Sequence, residues 1–190
     1  MKAIWNGLAV IALLAYPLVV YTGIQAVGAR SLALLLLVLM LVRFFLPSSG
    51  VRIAKVLGVM VAVSVVAPVM WFNRVDYLRY YPVLMNLATL GLFSASLFAK
   101  QTVVEKIARL TEPQLSAAGV LYTRRVTKIW CAFFVINGAI AFYTAAYSSF
   151  SAWALYNGMI SYVLMGALFT VEFIVRIVVK RRTSFAQTEP

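Results

Sequence analysis

The chain has no histidine, a single cysteine and only five acidic residues among 190. Each shortage removes a class of function. Without histidine there is no imidazole general base and no histidine metal ligand, so histidine-based acyltransferases and hydrolases are excluded. One cysteine, Cys131, forms no intrachain disulfide and no Cys/His metal cluster. Gly-rich phosphate loops, nucleophile elbows and metal motifs are also missing from the sequence, so neither a cofactor nor a metal is expected. Charged residues make up only 12% of the chain, about half the share of an ordinary globular domain.

What is present is apolar and basic. Apolar residues account for 64% of the sequence, and mean hydropathy is +0.94. A 21.0 kDa soluble domain cannot hide that much apolar surface in one core, and a disordered chain does not carry it. The composition therefore predicts an all-α, polytopic membrane protein. Six spans of about 20 residues would nearly use up the chain, leaving no room for a second folded domain. The net charge of +12 is not read as a nucleic-acid footprint, because the basic residues lie between apolar runs.

The pattern predicts a single transmembrane bundle over 1–182, with spans at 4–22, 31–46, 54–72, 82–98, 126–147 and 152–175 and a flexible tail over 183–190. A cleaved leader, with Ala26-Val27-Gly28-Ala29 as the processing region, is the competing reading of the first run. Turns are marked by Pro47-Ser48-Ser49-Gly50 and by Ser148-Ser149-Phe150-Ser151, and Pro82 suits the first turn of the fourth helix. The interval 100–125 is the only long polar stretch. Val103, Val104, Ile107 and Leu110 recur there at helical spacing, and Glu105 and Arg109 stand four apart. It reads as a cytoplasmic amphipathic helix at the membrane surface, ended by Glu112-Pro113. With six spans and both termini on one side, all of the 17 lysines and arginines except Arg30, Arg74 and Arg79 fall on that side. The positive-inside bias then places both termini in the cytoplasm of a bacterial inner membrane. Trp5, Trp71, Trp130 and Trp153 fall near span ends, as interfacial anchors do.

Polar groups inside the spans are the candidate sites, because they are costly there. Asn86, Asn137 and Asn157 are intramembrane, and Asn137-Gly138-Ala139-Ile140 and Asn157-Gly158-Met159-Ile160 share the pattern Asn-Gly-x-Ile. These amides either tie helices together or line a polar path. Glu172 and Arg176, four apart, are either a boundary ion pair or an acid facing a cavity. Gly58-x-x-x-Ala62 and Gly91-x-x-x-Ala95 are close-packing signals. Tyr122, Arg124, Arg125 and Lys128 form a basic cluster that either sets topology or contacts a lipid headgroup or an acidic partner. On the other side of the membrane, Arg74, Asp76 and Arg79 share one short loop expected to be periplasmic.

At Glu112-Pro113, Tyr122-Thr123-Arg124-Arg125-Val126-Thr127, Trp130-Cys131, Asn137-Gly138 and Trp153-Ala154-Leu155-Tyr156-Asn157-Gly158, the sequence resembles a family of uncharacterised small bacterial inner-membrane proteins, some labelled ketosynthase. The resemblance extends upstream through Tyr81-Pro82-Val83-Leu84-Met85-Asn86-Leu87. Members are often encoded beside enzymes of aryl-polyene-type lipid pigments. This resemblance implies a role in making or moving a polyene or fatty-acyl lipid, with acyl carrier protein or other pathway enzymes as partners besides the bilayer itself. A condensing activity does not fit, since a condensing enzyme needs a nucleophilic cysteine with histidines or an equivalent pair, and Cys131 lies in an apolar run. The sequence thus leaves two main readings: a non-enzymatic accessory protein of lipid synthesis, or a small transporter or flippase-like carrier. An enzyme built on Asp76 or Glu172 is a third.

Overall fold

A computed structural model describes residues 16–45 and 52–185. Among these, every regular element is helical: α1 (Tyr16–Phe45), α2 (Arg52–Phe72), a 3-10 turn (Val75–Tyr80), α3 (Tyr81–Ser96), α4 (Val103–Thr111), α5 (Ala117–Tyr147), α6 (Phe150–Leu155), a π turn (Tyr156–Ile160) and α7 (Ser161–Phe185). The all-α expectation holds. Among the described residues, two stretches are long and apolar enough to cross a membrane, Ala117–Tyr147 and Phe150–Ile177, and two shorter apolar ones are Gly28–Val42 and Val56–Phe72. Residues 4–15 of the first expected span and the Pro47-Ser48-Ser49-Gly50 turn lie outside the described residues, as do 186–190 of the expected tail. The start of that tail, 183–185, continues α7 as helix.

The boundaries follow from local chemistry. Gly28, at φ 77°, interrupts α1 in a conformation open to glycine, at the break between the first two apolar runs. Asn73, at φ 51°, ends α2, and its N–H returns to the carbonyl of Val69 at 2.8 Å. Pro82 sits at the start of α3. Thr102, Ser116 and Ser149 cap α4, α5 and α6, each hydroxyl accepting a backbone N–H at 3.2 Å.

One difference bears on function. The interval 100–125 is not one helix, and the basic cluster at 122–128 begins in its last part. It lies on α5, a continuous helix that starts at Ala117 and runs into the apolar span. The separate amphipathic helix is α4, ended at Glu112-Pro113 as its sequence predicts.

Packing forms two apolar clusters. The larger gathers Leu36 and Met40 of α1, Val65 and Val69 of α2, and Leu78, Tyr81 and Trp153. The smaller holds Val104 of α4 against Val126, Trp130 and Phe134 of α5, with Phe93 and Leu168 beside them. Gly58 and Ala62 face α1: a Cβ built at Gly58 would lie in ordinary contact with Met40 Sδ at 3.5 Å, and Ala62 is fully buried. Gly91 behaves otherwise: nothing lies within 4 Å of a Cβ built there, so Gly91-x-x-x-Ala95 packs against no described neighbour.

Tryptophan placement also departs from the sequence reading. Trp71 is 83% exposed, as an interfacial anchor would be, but Trp130 and Trp153 are buried inside the bundle. Trp130 is surrounded by Phe93, Phe133, Phe134 and Phe169, and Trp153 stacks on Phe150. Aromatic packing therefore outweighs interface anchoring at these two positions. Trp5 lies outside the described residues.

Candidate functional site

The three asparagines come together in two linked ties. Asn137 of α5 donates from Nδ2 to Asn86 Oδ1 on α3 at 2.9 Å and to Ser161 Oγ at the start of α7 at 3.4 Å. Its own Oδ1 accepts from the Tyr156 hydroxyl at 2.9 Å. One side chain thus joins α3, α5, the π turn and α7. Asn86 also donates to the carbonyl of Pro82 at 2.9 Å. Gly138, next to Asn137, makes room for this: a Cβ there would lie 3.2 Å from the Cβ of Asn86. Seven residues along α5, Thr144 Oγ1 accepts from Asn157 Nδ2 at 3.1 Å, and Asn157 also donates to the carbonyl of Trp153 at 2.9 Å.

The π turn lets adjacent residues Tyr156 and Asn157 both reach α5, at positions two turns apart. Asn137, Thr144, Asn157 and Ser161 are all buried. Their polar atoms are directed at one another, which is how buried amides avoid the cost of an unmet hydrogen bond. Glu172, read as either half of an ion pair with Arg176 or an acid facing a cavity, forms the ion pair and lies apart from the asparagines. It accepts from Arg176 Nε at 2.9 Å and Nη2 at 2.7 Å, and its carbonyl accepts from the Tyr122 hydroxyl at 3.3 Å. Tyr122 therefore joins the start of α5 to α7, a link that the sequence reading had left as two separate sites.

The basic cluster also divides. Arg124 Nη2 donates to the carbonyl of Leu97, the cap residue of α3, at 2.8 Å. A cation there meets the negative end of the α3 dipole, so Arg124 has a structural task. Arg125 and Lys128 remain exposed on α5. One hydrogen bond ties the segment between α3 and α5 back to α3: Val103 N–H donates to Ser96 Oγ at 3.1 Å. Within α4 itself, Thr102 caps the helix start and Arg109 pairs at 2.8 Å with the buried Glu105. Val104 packs against Val126 and Trp130, which seats α4 beside a basic helix start.

The expected loop cluster at 74–79 does not stay together. Arg74 and Asp76 form a solvent-exposed pair at 3.4 Å, the kind that contributes little. Arg79 turns into the bundle instead. Its Nη2 donates at 2.6 Å to the carbonyls of Thr144 and Ser148, at the end of α5. Its guanidinium lies 5.9 Å from the Phe150 ring, and its own carbonyl accepts from Trp153 Nε1 at 2.9 Å.

The sequence reading named all three asparagines but missed Tyr156, Thr144 and Ser161, their partners. A signal was present: 137 and 144 are two helical turns apart, and 157 and 161 one turn apart, so each pair shares a helix face. Among the described residues, no group of three or more His, Cys, Asp or Glu side chains is placed to hold a metal ion. Compared with protein-family models, curated proteins and solved structures, the chain finds no match.

Proposed function

We propose that the chain is a multi-pass bacterial inner-membrane accessory protein, with about six spans and both termini in the cytoplasm. It supports synthesis or handover of a polyene or fatty-acyl lipid by presenting a fixed basic surface to acyl carrier protein or another pathway enzyme, and it performs no reaction of its own. The observation that carries this reading is the division of labour among its polar groups. The buried amides are engaged in tying helices, while Arg125 and Lys128 stand exposed at the base of α5, next to a braced α4. The transport reading needs polar atoms open to a moving ligand, and the observed pairing of Asn86, Asn137 and Asn157 gives it less support.

Charge reversal tests the proposal. Arg125→Glu with Lys128→Glu should lower co-purification of acyl carrier protein about tenfold or more, the lower range of charge-steered association, while membrane insertion stays intact. Arg124 is left unchanged because it caps α3. Deletion of the gene, followed by mass spectrometry of extracted lipids, should show a missing or mislocalised polyene lipid. Unchanged co-purification together with an unchanged lipid profile would reject the proposal.

A further inference from the structure

Helix α4 has three sides, and the fold accounts for two. Successive residues turn by about 100° along a helix, so Val104, Glu105 and Ala108 point one way, and all three are buried against the bundle. Arg109 folds back onto Glu105, the only acid on α4, and neutralises it. The third side carries Ile107 and Leu110, at spacing i and i+3, and they are 56% and 79% exposed. Phe98, in the connection from α3, is 92% exposed. Lys100 and Lys106 are exposed beside these apolar groups.

The height of α4 along the bundle is fixed by its packing. Val104 contacts the cluster of Val126 and Trp130, at the level where the basic residues of α5 give way to its apolar run. That transition marks the headgroup zone of a membrane. A short helix at that level, with one apolar stripe and flanking lysines, fits a leaflet lying beneath it. The apolar side chains reach the acyl boundary and the lysine stems extend to phosphates.

The geometry points to α4 and Phe98 as an in-plane anchor that binds the anionic phospholipid headgroups of the leaflet from which α5 emerges. Ile107, Leu110 and Phe98 enter the acyl boundary, and Lys100 and Lys106 take the phosphates. This surface uses different residues from the proposed docking face at Arg125 and Lys128, so either can fail alone.

The test uses the full-length protein in vesicles of phosphatidylcholine, with or without phosphatidylglycerol, and no acyl carrier protein. Nitroxide labels are placed singly at Leu110→Cys and Lys106→Cys in a Cys131→Ala background. At 110, collision with oxygen should exceed collision with an aqueous nickel complex, and at 106 the order should reverse. Slow backbone hydrogen exchange at 104–108 in each labelled protein reports that α4 is still seated on the bundle. Lys100→Gln with Lys106→Gln should lower the preference for spin-labelled phosphatidylglycerol over phosphatidylcholine by about fivefold per lysine removed. A label at 110 that meets the nickel complex more than oxygen while exchange at 104–108 stays slow would overturn the anchor. An unchanged lipid preference in the double lysine variant would overturn the headgroup assignment.

Discussion

Asn137→Leu should destabilise the bundle by about 2–4 kcal/mol, read as loss of thermal or denaturant stability of the purified protein in detergent. Leucine keeps the γ-branched shape of asparagine but is larger, so the change removes hydrogen bonds and adds some overpacking rather than opening a hole. Three groups lose a partner at once: Asn86 Oδ1, Ser161 Oγ and the Tyr156 hydroxyl. Single hydrogen bonds between membrane helices average about 0.6 kcal/mol, so the larger figure depends on leaving buried groups unmet. A double-mutant cycle with Asn86→Leu isolates the α3–α5 tie and should give a coupling of about 1 kcal/mol. A polar path makes the opposite forecast: stability would hold and only a transported flux would fall.

Arg79→Met is the second large effect, expected at about 2–3 kcal/mol with the loss concentrated at the end of α5. A helix ends with carbonyls that have no partner inside it, and Arg79 serves two of these, from Thr144 and Ser148, at 2.6 Å. A guanidinium is suited to bridging two acceptors and to lying over the Phe150 ring. Against this stands a cost: Arg79 Nε is buried without a hydrogen-bond partner, so removing the side chain also removes one unmet donor. The two short charge-assisted bonds outweigh it. Arg79→Lys, with a single ammonium and no planar fork, should recover less than half of the loss. Hydrogen exchange should rise at residues 144–150 in both variants before it rises elsewhere. Uniform loosening across the bundle would contradict the assignment of Arg79 as a local cap.

Much of the helical frame was legible before any coordinates, because its punctuation is chemical. Pro82, Glu112-Pro113 and the serines at 148–149 mark breaks where the helices do begin or end. The three asparagines were singled out because an amide in an apolar run must find a partner. Which partner it finds was not legible, because Asn86 and Asn137 are 51 residues apart and meet only through the packing of α3 on α5. Arg79 misled for a related reason. Beside Arg74 and Asp76 it reads as part of a loop salt bridge, yet its acceptors lie 65 and 69 residues further along the chain. Gly91 and Ala95 carry the same small-residue spacing as Gly58 and Ala62, and only the second pair meets a neighbouring helix. Spacing identifies a face that permits close approach and does not supply the helix that approaches. The π turn was invisible too, since nothing in Tyr156-Asn157-Gly158-Met159-Ile160 forbids an ordinary helix. What favours the wider turn is the set of contacts on α5 that it allows Tyr156 and Asn157 to reach together.

The central claim is that α4 and the basic start of α5 lie on the cytoplasmic side of a multi-pass membrane bundle, because docking and leaflet anchoring both depend on it. Cysteine accessibility tests it most directly. Single cysteines at the exposed positions Lys106 and Arg125 on that side, and at Arg74 on the opposite side, are placed in a Cys131→Ala background and treated in whole cells with a membrane-impermeant maleimide. The account predicts labelling at 74 from outside, and labelling at 106 and 125 only after the inner membrane is opened. Labelling of 106 or 125 from outside intact cells would contradict it.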